Sequence, residues 1–268
     1  MSQERFPYYE MLGVRVQAMN AADLHEAVES AVRAGAHRVF GNHNLHSVYL
    51  YHRDPGMRRF YAGASLVFVD GMPLVWLGQA LGFPFRREHR NTPVDWLPEL
   101  LGKAAEQGWR VFYLGSAPGV AERGAAKLRE RWPELQMETA HGYFDISPGS
   151  AEAEAVLERI RAYRPHVLCV GMGMPRQEQW IAEYADRTGA NVVLSLGALM
   201  DLLSGELPTP PRWIGRAGLE WLYRLVSKPQ RVWRRYLVEP WFLLPLALRD
   251  LWTHRAAPAR RRARAAGS

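Results

Sequence analysis

The sequence contains a single cysteine and no apolar run that approaches the roughly 20 residues a membrane span needs. One cysteine excludes an intrachain disulfide and indicates a reducing compartment. Because Cys169 stands inside a short apolar run, we predict a buried structural thiol there rather than a nucleophile. The N-terminal residues lack a basic region followed by an apolar core, so no signal peptide is predicted.

Acidic residues are scarce towards the C-terminus, and the charge of the chain is therefore uneven. The formal net charge is +7, but from Arg212 onward twelve arginines and one lysine stand against three acidic residues. This asymmetry indicates an anionic partner, either nucleic acid or acidic lipid. Hydrophobic residues make up 48% of the chain, which predicts an ordered core rather than disorder.

The stretch Val167–Trp180 predicts a strand, a glycine-rich turn and a helix in immediate succession. Its first four residues form an apolar run typical of a buried parallel strand. Gly171 and Gly173 allow a sharp turn and a close approach to a ligand. Pro175 is expected at the first helical position, where its missing N–H costs nothing. The free N–H groups of that helix start would face an anion.

Predicted strands and helices alternate with short connections up to about residue 201. The predicted strands are His37–Phe40, Leu66–Val69, Arg110–Leu114, Gln136–Ala140, Val167–Val170 and Asn191–Leu196. The alternation predicts an α/β fold with a mostly parallel sheet and helices on both faces. Glycine-rich or polar turns follow the carboxyl ends of these strands, which is the edge where such sheets bind ligands.

The C-terminal part has a different character, rich in tryptophan, leucine and arginine. We predict a catalytic domain over 1–206, a helical basic appendage over 207–257 and a disordered tail over 258–268. The predicted linker is Leu207–Pro211, and the predicted helices are Gly218–Val226 and Val232–Trp252. The segment Trp241–Trp252 fits an interfacial membrane helix and equally a helix that packs on the core or on another subunit.

Several motifs occur in an order that resembles one protein family. They are Asp70–Pro73, Arg90–Thr92, His141–Phe144, Gly171–Glu178, Gly197–Ala198 with Asp201, Gly218–Arg224, Pro229, Arg231 and Arg234–Leu237. This ordered set, from about residue 10 to 240, resembles the WecG/TagA/CpsF glycosyltransferases. That family includes N-acetylmannosaminyltransferases of wall teichoic acid and enterobacterial common antigen synthesis.

The resemblance implies transfer of a hexose, by default N-acetylmannosamine, from a UDP-sugar to a polyprenyl-diphosphate-linked sugar at the inner face of the cytoplasmic membrane. It implies inversion at the anomeric carbon, no metal and no other cofactor. It also implies a Rossmann-like fold, a homo-oligomer, and a basic appendage that touches the membrane and completes the site. No nucleic-acid partner is expected.

The resemblance also implies roles for individual residues. Asp70 matches the family's proposed base, and an Asx turn that caps the next helix is the alternative role for Asp70. Glu178 and Asp201 are the alternative carboxylates for the base. Gln177 matches a residue that contacts sugar or phosphate, and it is expected to face the same space as Glu178. The predicted catalytic set is Asp70, Gln177 and Arg224. The predicted substrate-binding set is Asn42, Asn44, Gly71, Arg90, Thr92, Tyr143, Gly171, Gly173, Glu178, Asp201, Arg231 and Arg234.

The three appendage arginines in these sets, Arg224, Arg231 and Arg234, would close over phosphates, since forked guanidinium groups can do so without a metal. Helix-surface arginines that meet only anionic lipid are the alternative. The chain also departs from the family: Asn42 replaces a frequent threonine, and Pro93 replaces a usual glycine. These departures leave the donor sugar open.

Other function classes fit the sequence less well. A nicotinamide-dependent oxidoreductase would use Gly171 and Gly173, but Arg176 occupies the third glycine position of its fingerprint. A nucleic-acid-binding protein would use the basic tail, although no recognition module is visible. A zinc site at His43 and His46 lacks a completing set of ligands.

Overall fold

Six parallel strands form the central sheet of the protein. The computed structural model describes residues 6–197, 199–206, 220–227 and 229–256. In chain order the strands are β1 (Tyr8–Met11), β2 (Val14–Gln17), β3 (Arg38–His43), β4 (Leu66–Val69), β5 (Val111–Gly115), β6 (Met137–Ala140), β7 (Val167–Gly171) and β8 (Val192–Ser195). The first two form a separate antiparallel hairpin, and the parallel sheet has the order β4-β3-β8-β7-β5-β6.

Helices cover both faces of this sheet, which confirms the predicted α/β class. They are α1 (Ala21–Arg33), α2 (Leu45–Tyr51), α3 (Pro55–Gly63), α4 (Met72–Ala80), α5 (Pro93–Glu106), α6 (Val120–Arg131), α7 (Ala151–Tyr163), α8 (Arg176–Tyr184), α9 (Leu199–Leu203), α10 (Glu220–Ser227), α11 (Pro229–Leu237) and α12 (Glu239–Ala256). Short 3-10 helices cover Arg87–His89 and Ala185–Arg187.

The strands of the parallel sheet are buried on both faces, and their side chains divide between two core layers. In β7, Leu168 and Val170 join the layer that contains α8, while Val167 and Cys169 join the layer that contains α5. Alternate residues of a strand point to opposite faces, so a continuous apolar run supplies both layers at once. Burial raises the pKa of the Cys169 thiol to about 12, as expected for a structural thiol.

Two local predictions differ from the structure, and one element had no prediction. The hairpin β1–β2 was not predicted. Pro175 lies one residue before α8 instead of at its first position. The single helix predicted over Val232–Trp252 is two helices that break at Val238, because the ring of Pro240 would clash with the carbonyl of Tyr236 in a continuous helix.

The last helix, α12, lies against the core with one face and exposes the other. Leu243 is buried, and Phe242 packs edge-to-face on Tyr49 of α2. The opposite face exposes Trp241, Leu244, Leu248 and Trp252. The helix therefore satisfies the core-packing alternative and leaves an apolar stripe uncovered within the described residues.

Two polar contacts fix α12 to the domain. The Asp250 carboxylate accepts the buried backbone N–H of Leu12 at 2.7 Å, and His46 pairs with Glu239 at 2.8 Å. Within the described ranges, no helix combines the length and the apolar character that crossing a membrane requires. The predicted linker (207–211) and tail (258–268) lie outside the described residues, and the domain boundaries stay predictions.

Candidate active site

Four polar side chains meet where β3 and β4 end, and we refer to Asn42, Asn44, Asp70 and Thr92 as the aspartate cluster. Thr92 Oγ1 donates to Asp70 Oδ1 at 3.0 Å, and Asn42 Nδ2 donates to the other carboxylate oxygen at 3.4 Å. Asn44 Nδ2 donates to Asn42 Oδ1 at 3.5 Å. The two strands are neighbours, so their carboxyl ends bring Asn42, Asn44 and Asp70 to one edge, and Thr92 joins them as the N-cap of α5.

Local sequence fixes the aspartate cluster. Asn44 caps α2, and its side-chain oxygen accepts the N–H of Ser47 while the Ser47 hydroxyl accepts the Asn44 N–H. Gly71 follows Asp70 with a φ of +113°, a conformation open to glycine, and α4 starts one residue later. Asp70 thus lies between a strand end and a helix start, with two side-chain donors on its oxygens.

An arginine of α11 reaches this cluster, but it is not one that the sequence predicted. Arg235 donates to Asn44 Oδ1 at 3.4 Å, whereas the exposed Arg234 lies over the ring of Trp233. The side chains of Arg224 and Arg231 lie outside the described residues. The sequence showed two adjacent arginines, Arg234 and Arg235, but not which of them contacts the site. The rotation of α11 about its axis decides that.

Two glycine-containing turns lie at the ends of β7 and β8. Gly171, the last residue of β7, and Gly173 belong to the first turn, and Gly197 belongs to the second. We call these two turns the glycine turns. A Cβ on Gly171 would lie 2.1 Å from the Tyr113 hydroxyl and 2.6 Å from the Gly197 carbonyl oxygen, so no side chain fits there. Gly173 and Gly197 have φ values of +83° and +67°. Both turns need glycine for conformation or for space.

One buried amide joins the two glycine turns. Gln177 Oε1 accepts the backbone N–H of Gly173 at 3.3 Å and that of Gly197 at 3.0 Å. Gln177 Nε2 donates to Glu178 Oε1 at 2.6 Å. Gln177 and Glu178 are both 0% exposed, so their side chains lie behind the turns rather than in open ligand space. Burial raises the pKa of the Glu178 carboxyl to about 7.

Asp201 lies on the same edge and is held by the end of β5. The Ser116 hydroxyl donates to Asp201 Oδ2 at 2.7 Å, and the Tyr113 hydroxyl lies 3.2 Å from Ser116 Oγ. Ser116 has a φ of +60°, which turns the chain sharply at this strand end. Sequence reasoning missed Ser116, although the turn after a buried strand was recognised.

The aspartate cluster and the glycine turns share one sheet edge. Ser195 of β8 accepts the backbone N–H of Asn42 through its Oγ at 2.9 Å, which links the end of β8 to that of β3. Since β8 also neighbours β7, the strand ends from β4 to β7 form one continuous row. A ligand that lies along this row would contact both groups.

Two predicted residues lie at the rim of this row. Tyr143, in the turn after β6, is 73% exposed, and Arg176 anchors its turn by donating to the carbonyls of Gly142 and Phe144. Arg90 pairs with Asp95 at 3.0 Å. An exposed tyrosine on an anchored turn can stack on a planar base.

Histidine and carboxylate groups do not form a metal centre in the described part of the chain, which holds no grouping of three suitable ligands. His43 is buried, and its ring lies 2.9 Å from the Ser47 hydroxyl. Burial lowers its pKa to about 3, which keeps the imidazole neutral. His46 pairs with Glu239, so both histidines of the predicted zinc alternative, His43 and His46, have structural partners.

A sequence model of the glycosyl transferase WecG/TagA/CpsF family matches residues 9–257, which include both parts of this strand-end row. The chain belongs to the WecG/TagA/CpsF family. Proteins similar to this chain include the N-acetylglucosaminyldiphosphoundecaprenol N-acetyl-beta-D-mannosaminyltransferases of Staphylococcus aureus strains MW2 and NCTC 8325. Each is 29% identical over 171 residues, which cover 64% of this chain and 65% of the relative. The matched part therefore spans just under two thirds of these relatives.

Proposed function

We propose that this chain is a glycosyltransferase that moves a hexose from a UDP-sugar to a polyprenyl-diphosphate-linked sugar in cell-surface polysaccharide synthesis. The observation that carries the proposal is a carboxylate, Asp70, held by Asn42 and Thr92 on the same sheet edge as the glycine turns. Such an edge offers a base for an acceptor hydroxyl beside glycine turns whose lack of side chains lets a phosphate come close to the backbone. Family membership and the names of the relatives support the same reaction class.

The proposed reaction is a direct displacement at the anomeric carbon. Asp70 takes the proton of the acceptor hydroxyl as that oxygen attacks the carbon. The bond from this carbon to the phosphate oxygen breaks, UDP leaves with the electron pair, and the configuration inverts. The departing diphosphate gains charge, which arginines and backbone N–H groups can stabilise without a metal.

The donor and acceptor are proposed from chemistry and from the relatives. The glycine turns would receive the diphosphate, Tyr143 would stack on the uracil, and Asp201 would bind the nucleotide. The relatives are named for transfer of N-acetylmannosamine to N-acetylglucosaminyldiphosphoundecaprenol, so these are the default sugar and acceptor. Asn42, where the family often has threonine, is the residue we expect to alter donor choice.

The same proposal includes peripheral binding to the inner face of the cytoplasmic membrane, where a lipid-linked acceptor is reached. The stripe Trp241, Leu244, Leu248 and Trp252 is exposed beside a strongly basic C-terminal sequence. Exposed aromatic and aliphatic residues next to cations suit an anionic lipid surface.

We further propose that residues 207–257 complete the site. We also propose that the protein is a homo-oligomer, and light scattering would test its oligomeric state.

The decisive experiment measures UDP release with a short-chain polyprenyl-diphosphate-GlcNAc acceptor, a panel of UDP-hexoses and a chelator. Acceptor-dependent release with one donor is the expected result, and it identifies the sugar. Release only after a divalent cation is added would remove the metal-independent mechanism. No release with any donor, together with no direct UDP binding, would overturn the proposed function. No release with retained UDP binding would point to another acceptor.

A further inference from the structure

The buried pair Gln177 and Glu178 poses a physical question, because neither side chain reaches solvent. A polar side chain without exposure costs free energy unless its hydrogen bonds are made. Gln177 makes three such bonds, two to the glycine turns and one to Glu178. Glu178 Oε2 is buried without a hydrogen-bond partner within the described ranges. The carboxyl group of Glu178 is therefore costly to bury, and the side chain that donates to it is that of Gln177.

The geometry dictates the orientation of the Gln177 amide. A backbone N–H only donates, so the atom that faces the N–H groups of both Gly173 and Gly197 must be the amide oxygen. The amide nitrogen then points the other way and needs an acceptor. Glu178 Oε1 is that acceptor at 2.6 Å. A flipped amide would set its nitrogen against two donors and its oxygen against a carboxyl oxygen.

The two glycine turns depend on that orientation. Gly173 follows β7 and Gly197 follows β8, and both have positive φ values, so neither turn is held by regular strand pairing. One amide oxygen shared between them fixes the spacing of two adjacent strand ends. Glu178 touches neither turn through a described side-chain bond, so its influence on them passes through Gln177.

We propose that Glu178 is a positioning residue: it locks the Gln177 amide so that Gln177 holds the two glycine turns at the spacing that receives phosphate. The role requires a hydrogen-bond acceptor at Glu178 and does not require a negative charge. The identification of phosphate as the ligand rests on the proposed function. The hydrogen bonds that join Gln177 to Glu178 and to the two glycine turns, which we call the clamp, do not depend on it.

The test compares Glu178→Gln, which keeps an acceptor, with Glu178→Met, which removes it at similar size. We expect Glu178→Gln to bind UDP within about threefold of the wild type. Glu178→Met should bind UDP roughly 10- to 100-fold more weakly, because displaced turns misplace the binding groups. In turnover, the donor KM should rise in Glu178→Met and recover in Glu178→Gln. Loss in both variants, or in neither, would overturn the proposal.

A double-variant cycle shows whether Glu178 acts through Gln177. Gln177→Met should weaken UDP binding at least as much as Glu178→Met, and the double variant should be no worse than Gln177→Met. Additive losses would mean an independent role for Glu178 and would contradict the proposal. The thermal unfolding temperature of each variant separates this effect from a general loss of stability.

A second readout does not depend on the proposed function. Hydrogen exchange of the Gly173 and Gly197 amides, followed by NMR in the full-length protein, reports the clamp directly. Protection should fall in Glu178→Met and persist in Glu178→Gln; unchanged protection in Glu178→Met would overturn the positioning role. If the wild-type protein binds no UDP but exchange follows this pattern, the proposed function is wrong and the positioning role stands.

Discussion

At the scale of single residues, Asp70 shows how the contacts of a short motif support the chemical role that we propose for it. Its two oxygens accept from Thr92 and Asn42, which holds the carboxylate in one orientation. A base that is already oriented loses little entropy when the acceptor hydroxyl arrives. The same contacts would also suit a purely structural aspartate, so a substitution that preserves shape is the informative one.

Asp70→Asn keeps the shape and removes the ability to take a proton. We expect turnover to fall by roughly 100- to 10,000-fold, the usual range for a general base. UDP-sugar binding should stay near the wild-type value, since the glycine turns are unchanged. Titration calorimetry and UDP release measure the two quantities. Normal turnover would remove Asp70 as the base, and Asp186→Asn, at an exposed site, serves as the control.

Gly171 offers a prediction about packing. Gly171→Ala would place a methyl group 2.1 Å from the Tyr113 hydroxyl and 2.6 Å from the Gly197 carbonyl oxygen. Tyr113 is fully buried and cannot move aside, so we expect a loss of about 3 kcal/mol in the free energy of unfolding. Urea denaturation measures it. Gly63→Ala is the matched control, because nothing lies within 4 Å of its added carbon; equal stability in both variants would contradict the argument.

At the scale of elements, the sequence predicted β4 with its observed ends, and the other five strands of the parallel sheet within a few residues. Apolar runs of four to six residues between turn signals are informative because strands buried on both faces need them. The hairpin β1–β2 was not predicted because its strands are only partly buried and lack a continuous apolar run. Its turn uses Leu12 at a φ of +53°, which no sequence rule favours for leucine.

In the candidate site, too, the sequence predicted the residues at strand ends but not the contact that comes from a distant helix. Asn42 lies in a strand end and Asp70 follows one, and strand ends can be read locally, whereas Thr92 joins them from the N-cap of α5. The contact of Arg235 with Asn44 joins residues 191 positions apart and depends on the rotation of α11. Neighbouring residues on a helix point about 100° apart, so the choice between Arg234 and Arg235 requires the tertiary structure.

The exposed face of α12 yields a prediction about lipid. Replacing Trp241 and Trp252 by serine should reduce binding to phosphatidylglycerol vesicles by at least about tenfold, since each indole loses its insertion into the interface. Both side chains are more than 70% exposed, so the fold should be unaffected. Vesicle sedimentation measures the change. Trp76→Ser, on the exposed part of α4, is the control, and unchanged binding in the double variant would disprove this surface.

At the scale of the whole molecule, stability should depend on pH through Glu178. Burial raises its pKa from 4.5 to about 7, so the folded state favours the neutral carboxyl. Between these pH values the unfolded chain releases this proton more readily, and stability falls as pH rises. Glu178→Gln cannot ionise. Its stability relative to the wild type should therefore improve by up to about 3 kcal/mol between pH 4.5 and 8.

Chemical denaturation at several pH values measures this difference. Comparing the two proteins cancels groups that titrate alike in both, including His43, whose buried neutral ring destabilises the fold only as pH falls below about 6.5. A difference that does not change with pH would mean that Glu178 ionises normally in the folded protein.

The position of β8 has a consequence for the order in which the chain folds. This strand lies between β3 and β7, although it is the last strand in sequence. Until residues 192–195 are available, β4-β3 and β7-β5-β6 are two unjoined half-sheets with exposed apolar edges. Closing such a distant contact is slow, because loop entropy is lost before pairing compensates for it. We therefore expect a nascent chain to need chaperone protection until β8 inserts, and the proposed site to form in that same step.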